Sequence, residues 1–124
     1  MRAWQISSFG VESLTFVERP DAAPGPGEVQ IAVHAVSLNF RDLMMIKGLY
    51  NPRLHLPRVP CSDASATVLA VGDGSKRFAV GDAVIPNFFL NWKSGPVSRD
   101  VMSPVLGDSP TLYRDAASSL VGAR

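Results

Sequence analysis

The sequence predicts a mainly β fold with one short helix, on three observations. Ten glycines and ten prolines in 124 residues punctuate the chain so often that strands must be short and long helices have no room. From Glu28 to Ser37, Val29, Ile31, Val33 and Ala35 alternate with Gln30, Ala32, His34 and Val36, the period-two pattern of a half-buried strand. The pattern then changes. Asn39 can cap a helix through its side-chain oxygen, Asp42 falls near the positive helix start, and Leu43, Met44, Ile46 and Lys47 carry the helix on. Gly48 can end it in the left-handed conformation. The polar cluster Asn39-Phe40-Arg41-Asp42 therefore sits where a strand hands over to a helix, a place to mount chemistry on a rigid scaffold.

The remaining elements follow in chain order. Arg2 to Ser8 reads as a strand with Ala3, Trp4 and Ile6 as its apolar residues, and Gly10 breaks it. Leu14 to Arg19 reads as a second strand, in a hairpin with the first. The prolines and glycines between Pro20 and Glu28 exclude both helix and central strand. Leu49 to Pro60 is irregular, because Pro52, Pro57 and Pro60 lack backbone donors. Asp63 to Val71 is the next strand, and its small residues Ala64, Ser65 and Ala66 predict close packing. Gly72 to Ser75 is a turn. Phe78 to Val80 reads as turn and strand, Gly81-Asp82 as a tight hairpin signal, and Ala83 to Pro86 as another strand. Beyond Phe89 the chain is loop-like. From Val101 onward it has no clear period and is expected to pack poorly, with one or two helical turns over Asp115 to Val121.

Composition narrows the function classes. The length suits one domain with a single core. A net charge of +1 without a basic run argues against nucleic-acid binding. No apolar stretch approaches membrane-helix length, so no membrane partner is expected, and the N-terminal residues lack the apolar core of a secretory signal. The single cysteine, Cys61, excludes an internal disulfide and points to a reducing, cytoplasmic setting.

One ordered set of motifs goes further. A first strand is followed by Pro-Gly-Pro-Gly-Glu-Val, a long strand, Ser-Leu-Asn-Phe-Arg-Asp, Gly-Leu-Tyr, Pro-x-x-Pro, Cys-Ser-Asp, a strand ending in Val-Gly, and Arg-Phe-x-Val-Gly-Asp-x-Val-Ile-Pro. Over Met1 to Trp92 this order resembles the N-terminal part of the medium-chain dehydrogenase/reductase family, in particular its zinc-independent, quinone oxidoreductase-like branch. The resemblance implies a GroES-like partial β-barrel over residues 1–92 and a truncated or divergent tail over 93–124. Family members join this substrate domain to a Rossmann domain that binds NAD(P)H, and hydride passes to a carbonyl, enone or quinone between the two. The glycines that the family usually carries are replaced by Ala64 and Ala66, and Leu112-Tyr113-Arg114-Asp115 is a distorted echo of the strand expected beyond Trp92.

The resemblance also frames the zinc and cofactor questions. Zinc-dependent members place a cysteine at Asn39 and a Gly-His-Glu run at Cys61-Ser62-Asp63. A catalytic zinc needs three protein ligands, and only Asp63 remains of that set, so no zinc is expected. An unrelated site from His34, His55, Cys61 and Asp63 is outweighed by the ordinary surface and core roles of scattered histidines. A dinucleotide fingerprint needs a glycine-rich turn between strand and helix. The nearest stretch, Val71 to Arg77, lacks the third glycine and reads as a hairpin turn, so the NAD(P)H-binding domain is expected to be absent from this chain.

The candidate site residues carry both functional and plainer readings. The resemblance makes Asn39 the catalytic donor that faces nicotinamide or substrate carbonyl, although it is equally a helix cap. Tyr50 is a second catalytic candidate, as a donor to a carbonyl oxygen, or it packs. Asn39, Phe40 and Arg41 are the cofactor-binding candidates, while Arg41 beside Asp42 also fits a solvated helix face. Phe88, Phe89 and Trp92 line a pocket for a flat substrate or plug a barrel end. Cys61 reads as an inert thiol. A chain lacking the Rossmann half also exposes its cleft face, which favours self-association. The rival readings are a non-enzymatic β-barrel interaction module and an inactive fragment.

Overall fold

The computed structural model describes residues 2–21, 23–89, 92, 94–102 and 120–122. Among them the architecture is mainly β with one short α-helix. Strands β1 (Arg2–Ile6) and β2 (Leu14–Glu18) form an antiparallel hairpin through a single 3-10 turn at Val11–Ser13. Trp4 lies opposite Phe16 in its register, with ring centroids 5.3 Å apart. A second, antiparallel sheet runs β3 (Val29–Ser37), β4 (Asp63–Val71), β5 (Ala83–Pro86) and β6 (Leu120–Gly122), in that spatial order. Helix α1 (Phe40–Ile46) lies between β3 and β4 in sequence.

Three backbone hydrogen bonds tie the hairpin to the rest. Ile6 and Arg58 exchange N–H···O bonds of 2.8 and 3.0 Å, and Gly10 N–H donates to the Ile46 carbonyl at 2.8 Å. The sheet's core is Val29, Ala66, Val68 and Val84, with Ile31, Val71 and Phe78 packed against it. Ala66, at one of the glycine positions of the resembled family, is thus a core contact. The 25–28 turn is strapped to the end of β4: Gly72 N–H donates to the Glu28 carbonyl at 2.8 Å, and Gly27 N–H to the Asp73 carbonyl at 2.7 Å.

Three expectations are corrected. The alternation in β3 is real, yet only Val29 is buried, and from Val33 to Ser37 both faces are exposed. Among the described residues the strand is the sheet edge, and its exposed second half has β4 as its strand neighbour. The Phe78 to Val80 stretch forms no strand. Gly81 and Asp82 close a turn onto β4 instead, through Gly81 N–H to the Val68 carbonyl and Val68 N–H to the Asp82 carbonyl, both 2.9 Å. Helical turns over Asp115 to Val121 are contradicted at Leu120 and Val121, which pair with Pro86 and Ile85. Residues 115–119, the tail from 103 and the Leu112 to Asp115 echo otherwise lie outside the described residues.

Candidate functional site

The site grows from the junction of β3, α1 and β4. Ser37, the last residue of β3, pairs with Asp63, the first of β4, so Asn39 two residues on arrives beside Asp63. Asn39 and Asp42 form a capping box whose acidic half is the Asn39 N–H donating to Asp42 Oδ2 at 2.8 Å. Gly48 then ends the helix at φ +72°. The Asn39 side-chain amide donates one N–H to Asp63 Oδ2, and the Ser62 hydroxyl donates to the same oxygen at 3.0 Å. The positions that hold cysteine and Gly-His-Glu in zinc-dependent relatives therefore still meet, but they are joined by hydrogen bonds. His34 lies elsewhere, with Nε2 2.8 Å from the Thr67 hydroxyl. Among the described residues no three His, Cys, Asp or Glu side chains cluster closely enough to hold a metal ion.

Cys61 adjoins this group. Burial, then the carboxylates of Asp42 and Asp63, push its thiol from 9.0 up to about 11. It is the one described non-glycine residue with positive φ, at +82°.

A second cluster forms on the helix's other neighbours. The Arg41 guanidinium carbon lies 4.5 Å from the Tyr50 ring centroid and 4.8 Å from that of Phe88. Phe88 meets Phe89 edge-on at 4.8 Å, and Phe89 meets Trp92 at 5.8 Å. Asn87 holds this aromatic turn by donating to the carbonyls of Phe89 and Trp92 at 2.9 and 3.1 Å. The solvated-face reading of Arg41 and Asp42 is overturned. Asp42 is buried as the cap partner, and the nitrogens of half-buried Arg41 are shielded from solvent.

The structure thus brings Arg41, Tyr50, Phe88, Phe89 and Trp92 together, and Asn39 with Ser62 and Asp63. Phe40 is 76% exposed and belongs to neither cluster by any ring contact. Sequence reasoning missed two residues. The sequence alone suggests Asp63 only as a leftover metal ligand, although its place opposite the end of β3 follows once the two strands are paired. Asn87 is the other. Its signal is an amide directly after a strand-ending proline and directly before an aromatic pair.

Comparison with known proteins adds the lineage. The alcohol dehydrogenase GroES-like domain profile matches residues 25–104. A zinc-type alcohol dehydrogenase-like protein of Schizosaccharomyces pombe is 47% identical over 70 residues, covering 56% of this chain and 20% of that protein. The synaptic vesicle membrane protein VAT-1 homolog of Homo sapiens is 32% identical over 98% of this chain and 32% of its own length. The crystal structure of Escherichia coli quinone oxidoreductase complexed with NADPH superposes with a TM-score of 0.65 at 32% identity, covering 69% of this chain and 26% of that one. The chain spans about a fifth to a third of the length of these relatives.

Proposed function

The chain belongs to the alcohol dehydrogenase GroES-like domain family, akin to the zinc-independent quinone oxidoreductases, and from that premise we propose that it is the substrate-side portion of an NAD(P)H-dependent oxidoreductase acting on a carbonyl, enone or quinone. The observation that carries this reading is the state of the Asn39 amide. One of its N–H groups is fixed on Asp63, and the second has no acceptor among the described residues. A fixed dipole with a free donor can polarise a carbonyl oxygen without reorganising when charge develops there.

The cofactor, when bound, supplies the hydride. The described residues fit one wall of its cleft. Every strand pair among them is antiparallel, so they hold no βαβ unit to grip a pyrophosphate. On this reading Asn39, with Phe40 exposed beside it, is the group of this chain that faces the nicotinamide. Tyr50 is the second donor candidate, and Phe88, Phe89 and Trp92 give a flat substrate an aromatic wall. Asp63 holds Asn39 in orientation, and the reading assigns no step to zinc.

The test replaces the matching segment of a complete quinone oxidoreductase with residues 1–102 of this chain. The chimera is expected to oxidise NADPH in the presence of a naphthoquinone, and Asn39→Ala is expected to remove most of that rate while NADPH binding persists. A folded, NADPH-binding chimera that reduces neither quinones nor enones refutes the proposal. The exposed second half of β3 favours one rival, an interaction module, and such a chimera result would leave that reading in its place.

A further inference from the structure

Arg41 is a cation whose surroundings are aromatic rather than anionic. Among the described residues none of Nε, Nη1 and Nη2 has a hydrogen-bond partner, and all three are shielded from solvent. Ring contacts with Tyr50 and Phe88 offset part of the charge, but they leave the planar fork of five N–H donors unused. No described carboxylate pairs with it: Asp42, next in sequence, accepts from the Asn39 N–H through Oδ2, and its Oδ1 is buried without a hydrogen-bond partner and makes no bond to Arg41. A desolvated guanidinium without partners is costly, and its edge matches a carboxylate or phosphate bidentately.

We infer that Arg41 is the anion-binding end of the aromatic cleft, and that the ligand is a flat, apolar molecule carrying an oxyanion. The flatness follows from the neighbours, since Phe88, Phe89 and Trp92 continue from the guanidinium as a row of ring contacts. Tyr50, whose ring the guanidinium contacts, is exposed and sits on the irregular segment after α1, so it is the neighbour that must shift for a ligand to reach Arg41. For the proposed oxidoreductase this makes the substrate a conjugated carbonyl compound with a carboxylate, or else sets a cofactor phosphate against Arg41. The shared chemistry is a planar array of oxyanion acceptors. The ligand's place in a reaction rests on the functional reading above, while the binding itself does not.

The experiment therefore measures binding alone, by calorimetry on the full chain. The probes are 2-naphthoate, the neutral 2-naphthamide of the same shape, and inorganic pyrophosphate. Wild type is expected to prefer 2-naphthoate over 2-naphthamide by about tenfold or more, the discrimination of a charge-assisted bidentate contact. Arg41→Met should abolish the preference, and Arg41→Lys should restore it only in part. Tighter binding of pyrophosphate, lost in Arg41→Met, keeps the anion site and assigns it to a phosphate. Equal affinity for naphthoate and naphthamide in wild type, or no binding of naphthoate and pyrophosphate at millimolar concentration, overturns the inference and leaves Arg41 a structural clip. The wild-type ligand comparison needs no variant to fold. Anion binding alongside an inactive chimera would separate failure of the enzyme reading from failure of this one.

Discussion

Cys61 holds φ at +82°, a conformation that costs an L-residue roughly 1–2 kcal/mol and glycine almost nothing. Zinc-dependent members of the resembled family place glycine at this position, and the observed geometry fits that choice. Glycine loses more chain entropy on folding, so the net gain is a fraction of the strain. Cys61→Gly is expected to stabilise the chain by about 0.5–1 kcal/mol, read as a higher urea midpoint at unchanged slope. The thiol itself gives a pH prediction. Its folded pKa of about 11 lies above the ordinary 9.0, chiefly through burial. Its contribution to stability is therefore complete below pH 9 and is lost as pH rises through 11. The wild-type urea midpoint should fall across that window more steeply than that of Cys61→Gly. At pH 8, iodoacetamide should modify Cys61 about a hundredfold more slowly than a free thiol, as its thiolate fraction requires. The inert thiol was legible from sequence, since no base or helix start adjoins it. The strained backbone was not, because a φ angle leaves no mark in composition.

Helix α1 was legible almost to the residue, since its signals are local: Asn39 and Asp42 at one end and Gly48 at the other. The β1–β2 hairpin and β4 were legible for the same reason. What failed at this scale depended on partners distant in sequence. The burial of β3 is decided by which layer covers it, and β6 exists through pairing with β5 across a long separation. The joint between the 25–28 turn and β4 is another such contact. A Cβ on Gly72 would lie 1.9 Å from the Gly25 carbonyl oxygen, a backbone atom that cannot swing aside. Gly72 does not need positive φ, so the constraint is closeness of approach alone. Gly72→Ala should cost roughly 1–3 kcal/mol, the range for overpacking a fixed site. The Gly27 and Gly72 amides should lose protection in hydrogen exchange before those of β4 do. A neutral substitution would mean that the turn is not held against the strand in solution.

The whole molecule has a closed side and an open one. Met45, Ile46, Leu54 and the Val29–Val84 cluster are buried, whereas Val33, Val36, Leu38 and Phe40 run along β3 and into α1 with about half to four-fifths of their surface exposed. Such an exposed apolar strip, along a strand that is the sheet edge among the described residues, favours association. The chain spans only 26% of the length of the quinone oxidoreductase whose structure it matches, so a strip of this kind fits a domain made to lie against another. The two clusters that carry the proposed chemistry adjoin this strip in sequence: Asn39 lies between Leu38 and Phe40, and Arg41 is one residue past Phe40. Covering the strip and completing the cleft are therefore one event on this reading. The purified chain should self-associate with rising concentration in sedimentation velocity, and Val36→Lys, a charge on the exposed edge, should shift it toward monomer without lowering its urea midpoint by more than about 0.5 kcal/mol. Joining residues 1–102 to the remainder of a quinone oxidoreductase, as in the chimera, should abolish the concentration dependence that depends on Val36. A wild-type chain that stays monomeric at hundreds of micromolar would mean that the strip is covered within the chain itself, and Asn39 would then face protein rather than a cleft.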